Sequence, residues 1–173
     1  MDLRDYIKSI PDYPREGIDF KDITPLFLDP KALRTAVDQM STYADNLGVD
    51  LVVSAEARGF MLEGAVAAQI GAGFIPTRKP GKLPREVNSV EYVLEYGVDA
   101  LEVHKDALAG GARVLVHDDL LATGGTARAL CELVEQAGAH VAGCGFIVEL
   151  AFLGGRERIA PHDVYSLIVY EDE

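Results

Sequence analysis

Residues 113–126 read RVLVHDDLLATGGT, and no other run constrains the chain as tightly. Val114, Leu115 and Val116 form an unbroken apolar stretch, the composition of a strand buried on both faces. Two carboxylates, Asp118 and Asp119, end it. Ala122-Thr123-Gly124-Gly125-Thr126 then opens a segment whose spacing predicts a helix over about Thr126 to Ala137, closed by Gly138. A buried strand that turns through glycines into a helix is half of a strand–helix–strand unit. It also has a chemistry. Amides at a helix start lack intrahelical partners and carry the positive end of the dipole, so they make an anion pocket. Glycines let the backbone approach a phosphate, and Thr123 and Thr126 add hydroxyl donors. Asp118 and Asp119 repel a phosphate, so their natural partners are ribose hydroxyls or a hard Mg²⁺ ion. The run is neither a Walker A loop nor a G-x-G-x-x-G fingerprint. Read as a plain turn with a threonine cap, it leaves the acidic pair unexplained.

The same alternation recurs along the chain. Leu3, Tyr6, Ile7 and Ile10 share a helical face, which predicts a short amphipathic helix over 3–10, followed by an irregular segment from Pro11 to Pro25. Asp29 as N-cap and Pro30 at the first position start a helix that Gly48 can close. Strands are expected at 49–54 and 74–77, with a helix from about Phe60 to Ile70 between them. Residues 80–88 contain two prolines and a glycine and are expected to be irregular. Period-2 alternation from Val90 to Tyr96, a turn at Gly97 to Asp99 and renewed alternation at Leu101 and Val103 predict a hairpin. Strands at 141–150 and 164–169 follow. The fold class is α/β with a mostly parallel central sheet flanked by helices, and 173 residues suit a single domain, 1–173. Ligands of such sheets bind beyond the carboxyl ends of strands.

Two more motifs lie at such ends. Ser54-Ala55-Glu56-Ala57-Arg58-Gly59-Phe60 sits between a strand and a helix, where Arg58 and neighbouring amides can hold a second anion. Arg78-Lys79-Pro80-Gly81-Lys82-Leu83-Pro84-Arg85 gathers four cations in a chain of net charge −12. A mobile basic loop of this kind can close over a polyphosphate and exclude water. The charge balance elsewhere argues against a nucleic-acid or membrane-surface binder. No apolar run approaches the roughly 18 residues that span a bilayer, and the start lacks the features of a signal peptide, so a cytoplasmic location is expected. Cys131 and Cys144 read as core thiols, and the four histidines show no ligand spacing.

Together these segments resemble a known family. VLVHDDLLATGGTA is similar to the phosphoribosyl-pyrophosphate (PRPP) motif of type I phosphoribosyltransferases. PDYPREGIDFKDITPLF, SAEARGF, TRKPGKLPRE, LEYGVDALEVHKDAL and VELAFLGGRERI resemble, in order and spacing, the adenine phosphoribosyltransferases over essentially residues 3–170. The resemblance implies a PRT-type fold with a small hood, contributed by about 1–30 and the C-terminal part, and a flexible hairpin loop. It implies transfer of the 5-phosphoribosyl group from PRPP to adenine, giving AMP and pyrophosphate with Mg²⁺, by a cytoplasmic homodimer. By the same resemblance Asp118 and Asp119 contact the ribose, and one of them is a candidate Mg²⁺ ligand. Ala122, Thr123, Gly124, Gly125 and Thr126 cradle the 5′-phosphate, and Ala57, Arg58 and Gly59 form the pyrophosphate loop. Arg78, Lys79 and Lys82 belong to the mobile basic loop, with Arg78 able to reach the neighbouring subunit's site. Glu95 handles the proton, with Tyr96 beside it. Phe20, Lys21 and Leu150 form the adenine pocket. His117 and Asp19 depart from the family pattern, which commonly has an aliphatic residue at the first and an apolar one at the second. Apolar surface on Tyr6, Ile7, Phe27 and Leu28 suits either a dimer contact or the core. Two other readings stand beside this one: a phosphoribosyltransferase for another base such as xanthine, hypoxanthine or orotate, and a non-catalytic regulator that senses PRPP or purines.

Overall fold

In the computed structural model, residues 1–94, 97–108 and 110–172 are described. The N-terminal residues form a one-turn 3₁₀ helix, Leu3–Tyr6, and a two-stranded antiparallel ribbon of Lys8–Ile10 (β1) with Phe20–Asp22 (β2). Thr24–Leu28 (α1) and Pro30–Asn46 (α2) lead to Leu51–Ala55 (β3), Phe60–Ile70 (α3) and Gly73–Thr77 (β4). A hairpin of Val87–Leu94 (β5) and Gly97–His104 (β6) stands apart from the main sheet. Arg113–Leu121 (β7), Gly125–Gln136 (α4), His140–Leu150 (β8), Gly155–Arg158 (α5) and Val164–Tyr170 (β9) complete the chain.

The central sheet has the order β4-β3-β7-β8-β9, and every pairing in it is parallel. Parallel strands need covered faces, and the period-2 alternation of each strand supplies two. Val53, Val114, Val116 and Phe146 face α4, where Leu130, Leu133 and Val134 meet them. Val52, Leu115 and Ile147 face the other way, against Val37 and Met40 of α2 and Leu62 and Val66 of α3. The helix starts follow capping chemistry. Asp29 accepts from the amides of Lys31 and Ala32, each at 2.9 Å, and Pro30 takes the first position. Gly71 ends α3 with φ +71°, a conformation glycine adopts without a Cβ penalty.

Several expectations are corrected. No helix spans 3–10: Asp2 caps a single 3₁₀ turn, and Lys8–Ile10 then pairs with Phe20–Asp22, so part of the segment expected to be irregular is strand. The hairpin's return strand begins at Gly97, with Leu94 paired to Gly97, and not after a turn through Asp99. Strand β7 runs on to Leu121, so Asp118 and Asp119 lie within it. The ladder to β3 ends at Ser54 and His117, and the extension is held by β8, where Asp118 and Leu120 pair with Phe146 and Val148. Neither threonine caps α4; the N-cap is Gly124, at φ +82°. Cys131 and Cys144 are core thiols as expected, and their sulfurs touch at 3.7 Å. Of the residues offered for a dimer contact, Leu28 is 82% exposed, while Tyr6, Ile7 and Phe27 pack against the α2–α3 side of the core.

Candidate active site

The carboxyl ends of β3 and β7 open into two adjoining clefts that share Arg58, Asp118, Asp119 and Thr126. The first, about 230 Å³, is walled by Leu120 through Ala127, so it is the mouth of the β7–α4 turn. There the amides at the start of α4 have no side-chain cap, which leaves them free for an anion. The turn tolerates no side chain at two glycines. A Cβ on Gly124 would lie 2.7 Å from the Gly155 carbonyl oxygen, and one on Gly155 would collide with the Ala122 carbonyl. Helix α5 thus packs directly beneath the phosphate-sized cradle. It is held there by Arg156, which clamps the buried Glu149 carboxylate at 3.0 and 2.6 Å while Ser166 donates to the same group at 2.6 Å.

The second cleft, about 260 Å³, lies between Glu56, Ala57 and Arg58 on one wall and Lys79, Tyr92 and Asp99 on the other. Its charged groups are interlocked. Arg58 Nε sits 3.0 Å from Asp119 Oδ2. Arg78 Nη2 lies 3.2 Å from Glu56 Oε2, and Glu56 Oε1 accepts from the Lys79 amide at 2.6 Å. That amide, with Arg78, holds the Glu56 carboxyl below its ordinary range. The Lys79 ammonium pairs with Asp99. Burial, and then the Asp119 charge beside it, pushes Asp118 well above the usual carboxylate range. Among the described residues, Arg58 is the cation set directly against the acidic pair, through Asp119.

The sequence-derived candidates divide accordingly. Asp118, Asp119, Ala57, Arg58, Lys79 and Ala122 to Thr126 line the clefts. Gly59 lies under them: a Cβ there would collide with Ser54 Oγ and lie 2.9 Å from Asp118 Oδ1. Arg78 is bridged by backbone to Glu102 at the root of the basic loop, and Lys82 lines neither cleft. The Arg58 guanidinium lies 5.3 Å from the centroid of Phe20, which brings the proposed base segment to the same corner. Lys21 turns its ammonium to Asp19, at 2.6 Å, and to the Tyr170 ring, at 4.6 Å, and Leu150 pairs in register with Tyr170. Asp19, the departure at the base segment, thus neutralises Lys21. Glu95 and Tyr96 lie outside the described residues.

Sequence reading missed Asp99 and Glu63. Sequence alternation puts Asp99 in a turn, and only the hairpin register sets it opposite Tyr92. Glu63 enters from α3 beneath the site, its Oε1 3.3 Å from His117 Nε2, both side chains essentially inaccessible. No pattern signals that pair, because the two residues meet across the sheet–helix interface.

Residues 29–169 match the family model described as "Phosphoribosyl transferase domain". The chain is 57% identical to the adenine phosphoribosyltransferase of Rubrobacter xylanophilus over 171 residues, covering 98% of this chain and 92% of the relative. The crystal structure of adenine phosphoribosyltransferase from Thermoanaerobacter pseudethanolicus superposes with a TM-score of 0.94 at 47% identity, over 97% of this chain and 98% of that one. The Saccharomyces cerevisiae enzyme, solved with an imino-altritol bisphosphate and adenine, gives 0.91 at 37% identity, over 95% and 96% of the two chains. Among the described residues no helix is long and apolar enough to cross a membrane.

Proposed function

The chain belongs to the adenine phosphoribosyltransferases, and on that premise we propose that it transfers the 5-phosphoribosyl group of PRPP to adenine, giving AMP and pyrophosphate for purine salvage. One observation carries the reading: two anion-suited clefts meet at the Arg58–Asp119 pair, with carboxylates between them. A substrate with a phosphate at one end, a diphosphate at the other and a diol between has that distribution of chemistry.

In this mechanism the amides and hydroxyls of Thr123 to Thr126 grip the 5′-phosphate, and Asp118 and Asp119 take the ribose hydroxyls. That fixes the anomeric carbon facing the base. Bond breaking leaves cationic character on the ribose and charge on the departing diphosphate, which Arg58 and Lys79 neutralise, joined by Lys82 and Arg78 as the loop closes. Phe20, Lys21 and Leu150 hold adenine, the backbone of Lys21 reading its edge. Glu95 takes the N9 proton as general base. Among the described residues no three His, Cys, Asp or Glu side chains are grouped to cage a metal. Mg²⁺ keeps waters and binds through one or two carboxylates plus substrate phosphates, so it fits as an ion carried by PRPP with Asp118 or Asp119 as its protein contact. When bound, it supplies charge stabilisation to the leaving diphosphate. The protein works as a cytoplasmic homodimer in which Arg78 approaches the neighbouring site.

The direct test is pyrophosphate release with PRPP–Mg²⁺ and a single purine. Adenine supports turnover. Hypoxanthine lacks the 6-amino donor and leaves polar groups of the site unpaired, so it turns over more slowly by orders of magnitude. Equal rates would overturn the adenine assignment, and no release with any purine would favour a sensor.

A further inference from the structure

Asp99 stands on the wall of the diphosphate-side cleft with no role in the mechanism above. Its Oδ2 pairs with the Lys79 ammonium and accepts from the Tyr92 hydroxyl at 3.3 Å, and its Oδ1 accepts from the Ala100 amide at 2.9 Å. The side chain is 23% exposed, so the pair is only partly screened by solvent. Tyr92 in turn lies against the start of α4, its Cδ2 3.8 Å from where a Cβ on Gly125 would stand. Asp99 thus ties the basic loop to the hairpin and the hairpin to the phosphate cradle.

The neighbouring cations are matched in the same way, Arg58 by Asp119 and Arg78 by Glu56. Those two carboxylates have further tasks: Asp119 faces the ribose, and Glu56 also fixes the Lys79 amide. Asp99 holds the lysine's charge and nothing of the substrate. A carboxylate oxygen and a phosphoryl oxygen are alike to an ammonium: both are anionic acceptors. Lysine, a compact charge on a flexible stem, can change partners without moving the backbone.

We propose that Asp99 is a positioning residue that acts through Lys79. Its carboxylate is an internal stand-in for a diphosphate oxygen, and the exchange of Lys79 between the two sets how tightly pyrophosphate is held and how fast it leaves. The inference rests on the phosphoribosyl-transfer reading. Diphosphate must break the Lys79–Asp99 pair to engage the lysine, so Asp99 opposes binding through Lys79. In exchange, Asp99 recaptures Lys79 as product departs, and product release is a common limit on turnover.

Asp99→Asn keeps the shape and an acceptor oxygen but removes the charge. Titration calorimetry with magnesium pyrophosphate is expected to give a dissociation constant about five- to tenfold lower than wild type, the range of a partly buried ion pair. The KM for PRPP falls in parallel, the KM for adenine stays within about twofold, and kcat falls with a burst of AMP in the first turnover. Asp99→Glu retains wild-type affinity. In a Lys79→Ala background the Asn change shifts pyrophosphate affinity less than about twofold, because the coupling partner is gone. Weaker or unchanged pyrophosphate binding in Asp99→Asn overturns the proposal. So does an undiminished gain in the Lys79→Ala background, which would mean direct repulsion of diphosphate. Wild-type protein that neither binds magnesium pyrophosphate nor forms AMP brings down the transfer reading itself. Wild-type binding with no effect of Asp99→Asn brings down only the role of Asp99.

Discussion

Glu63 and His117 show how a single buried residue can set the electrical state beneath a site. Burial pushes the Glu63 carboxyl up to about 9 and the His117 imidazole down to about 3, so both are neutral at physiological pH. Their 3.3 Å approach is not a hydrogen bond, and burial is the main pressure on both groups. Neutrality matters here because Asp118 and Asp119 add to the pressure against a charge on Glu63. The linkage has a definite sign. In the unfolded chain Glu63 loses its proton near pH 4.5, whereas the folded protein keeps it until about pH 9. Across that window the folded state binds more protons, so its stability falls as pH rises, by at most about 1.4 kcal/mol per pH unit from this one group. Glu63→Gln, isosteric and without a titrating proton, should flatten that loss. Thermal unfolding at pH 5, 7 and 9 measures it; a variant whose melting temperature falls with pH as steeply as wild type would place the titration elsewhere.

At the scale of elements, the turn from β7 into α4 depends on two glycines touching. Gly124 holds φ +82° and lies against Gly155, so Gly124→Ala meets both a left-handed backbone, costing an alanine about 1–2 kcal/mol, and the carbonyl 2.7 Å from its new Cβ. Helix α5 must retreat or the cradle must open. PRPP affinity should drop roughly tenfold or more while adenine affinity in binding assays changes little; a KM for PRPP within twofold of wild type would show that the cradle is built elsewhere. This turn was legible in the sequence because its apolar run, acidic pair and glycines are contiguous. The same holds for α2, whose Asp29 cap, Pro30 and apolar spacing agree, and for the end of α3 at Gly71. What was not legible depends on pairing. Residues 3–10 carry helix-like spacing over barely two turns, and the ladder to Phe20–Asp22 wins. The acidic pair suggests that β7 ends there, but the ladder to β8 keeps the backbone extended through it. Asp99 belongs to the site only through its register with Tyr92, a long-range fact that composition does not carry.

Across the whole molecule, the two ends of the chain meet where the base segment is anchored. Arg4 Nη2 donates to the Val169 carbonyl at 2.6 Å, and its guanidinium lies 5.2 Å from the Tyr170 ring centroid. Lys21 approaches the same ring at 4.6 Å, and Leu3 and Ile23 bury into the α2–α3 side of the core. The tyrosine is thus the joint between the N-terminal ribbon and the last strand of the sheet. The anion clefts lie at the ends of β3 and β7, and their walls include neither end of the chain. Base binding and diphosphate binding should therefore separate when the joint is cut. Tyr170→Ala removes both ring–cation contacts, each worth about 0.5–1 kcal/mol when exposed, together with the ring's packing. For a chain of this size that corresponds to a melting temperature lower by about 2–6 °C. The ribbon bearing Phe20 and Lys21 loosens, so the KM for adenine should rise several-fold while the dissociation constant for magnesium pyrophosphate stays within about twofold. Tyr170→Phe keeps the ring and should behave as wild type in both. Parallel loss of adenine and pyrophosphate affinity in Tyr170→Ala would show that the ribbon and the clefts form one cooperative unit, and that the base segment is not held independently by the chain's two ends.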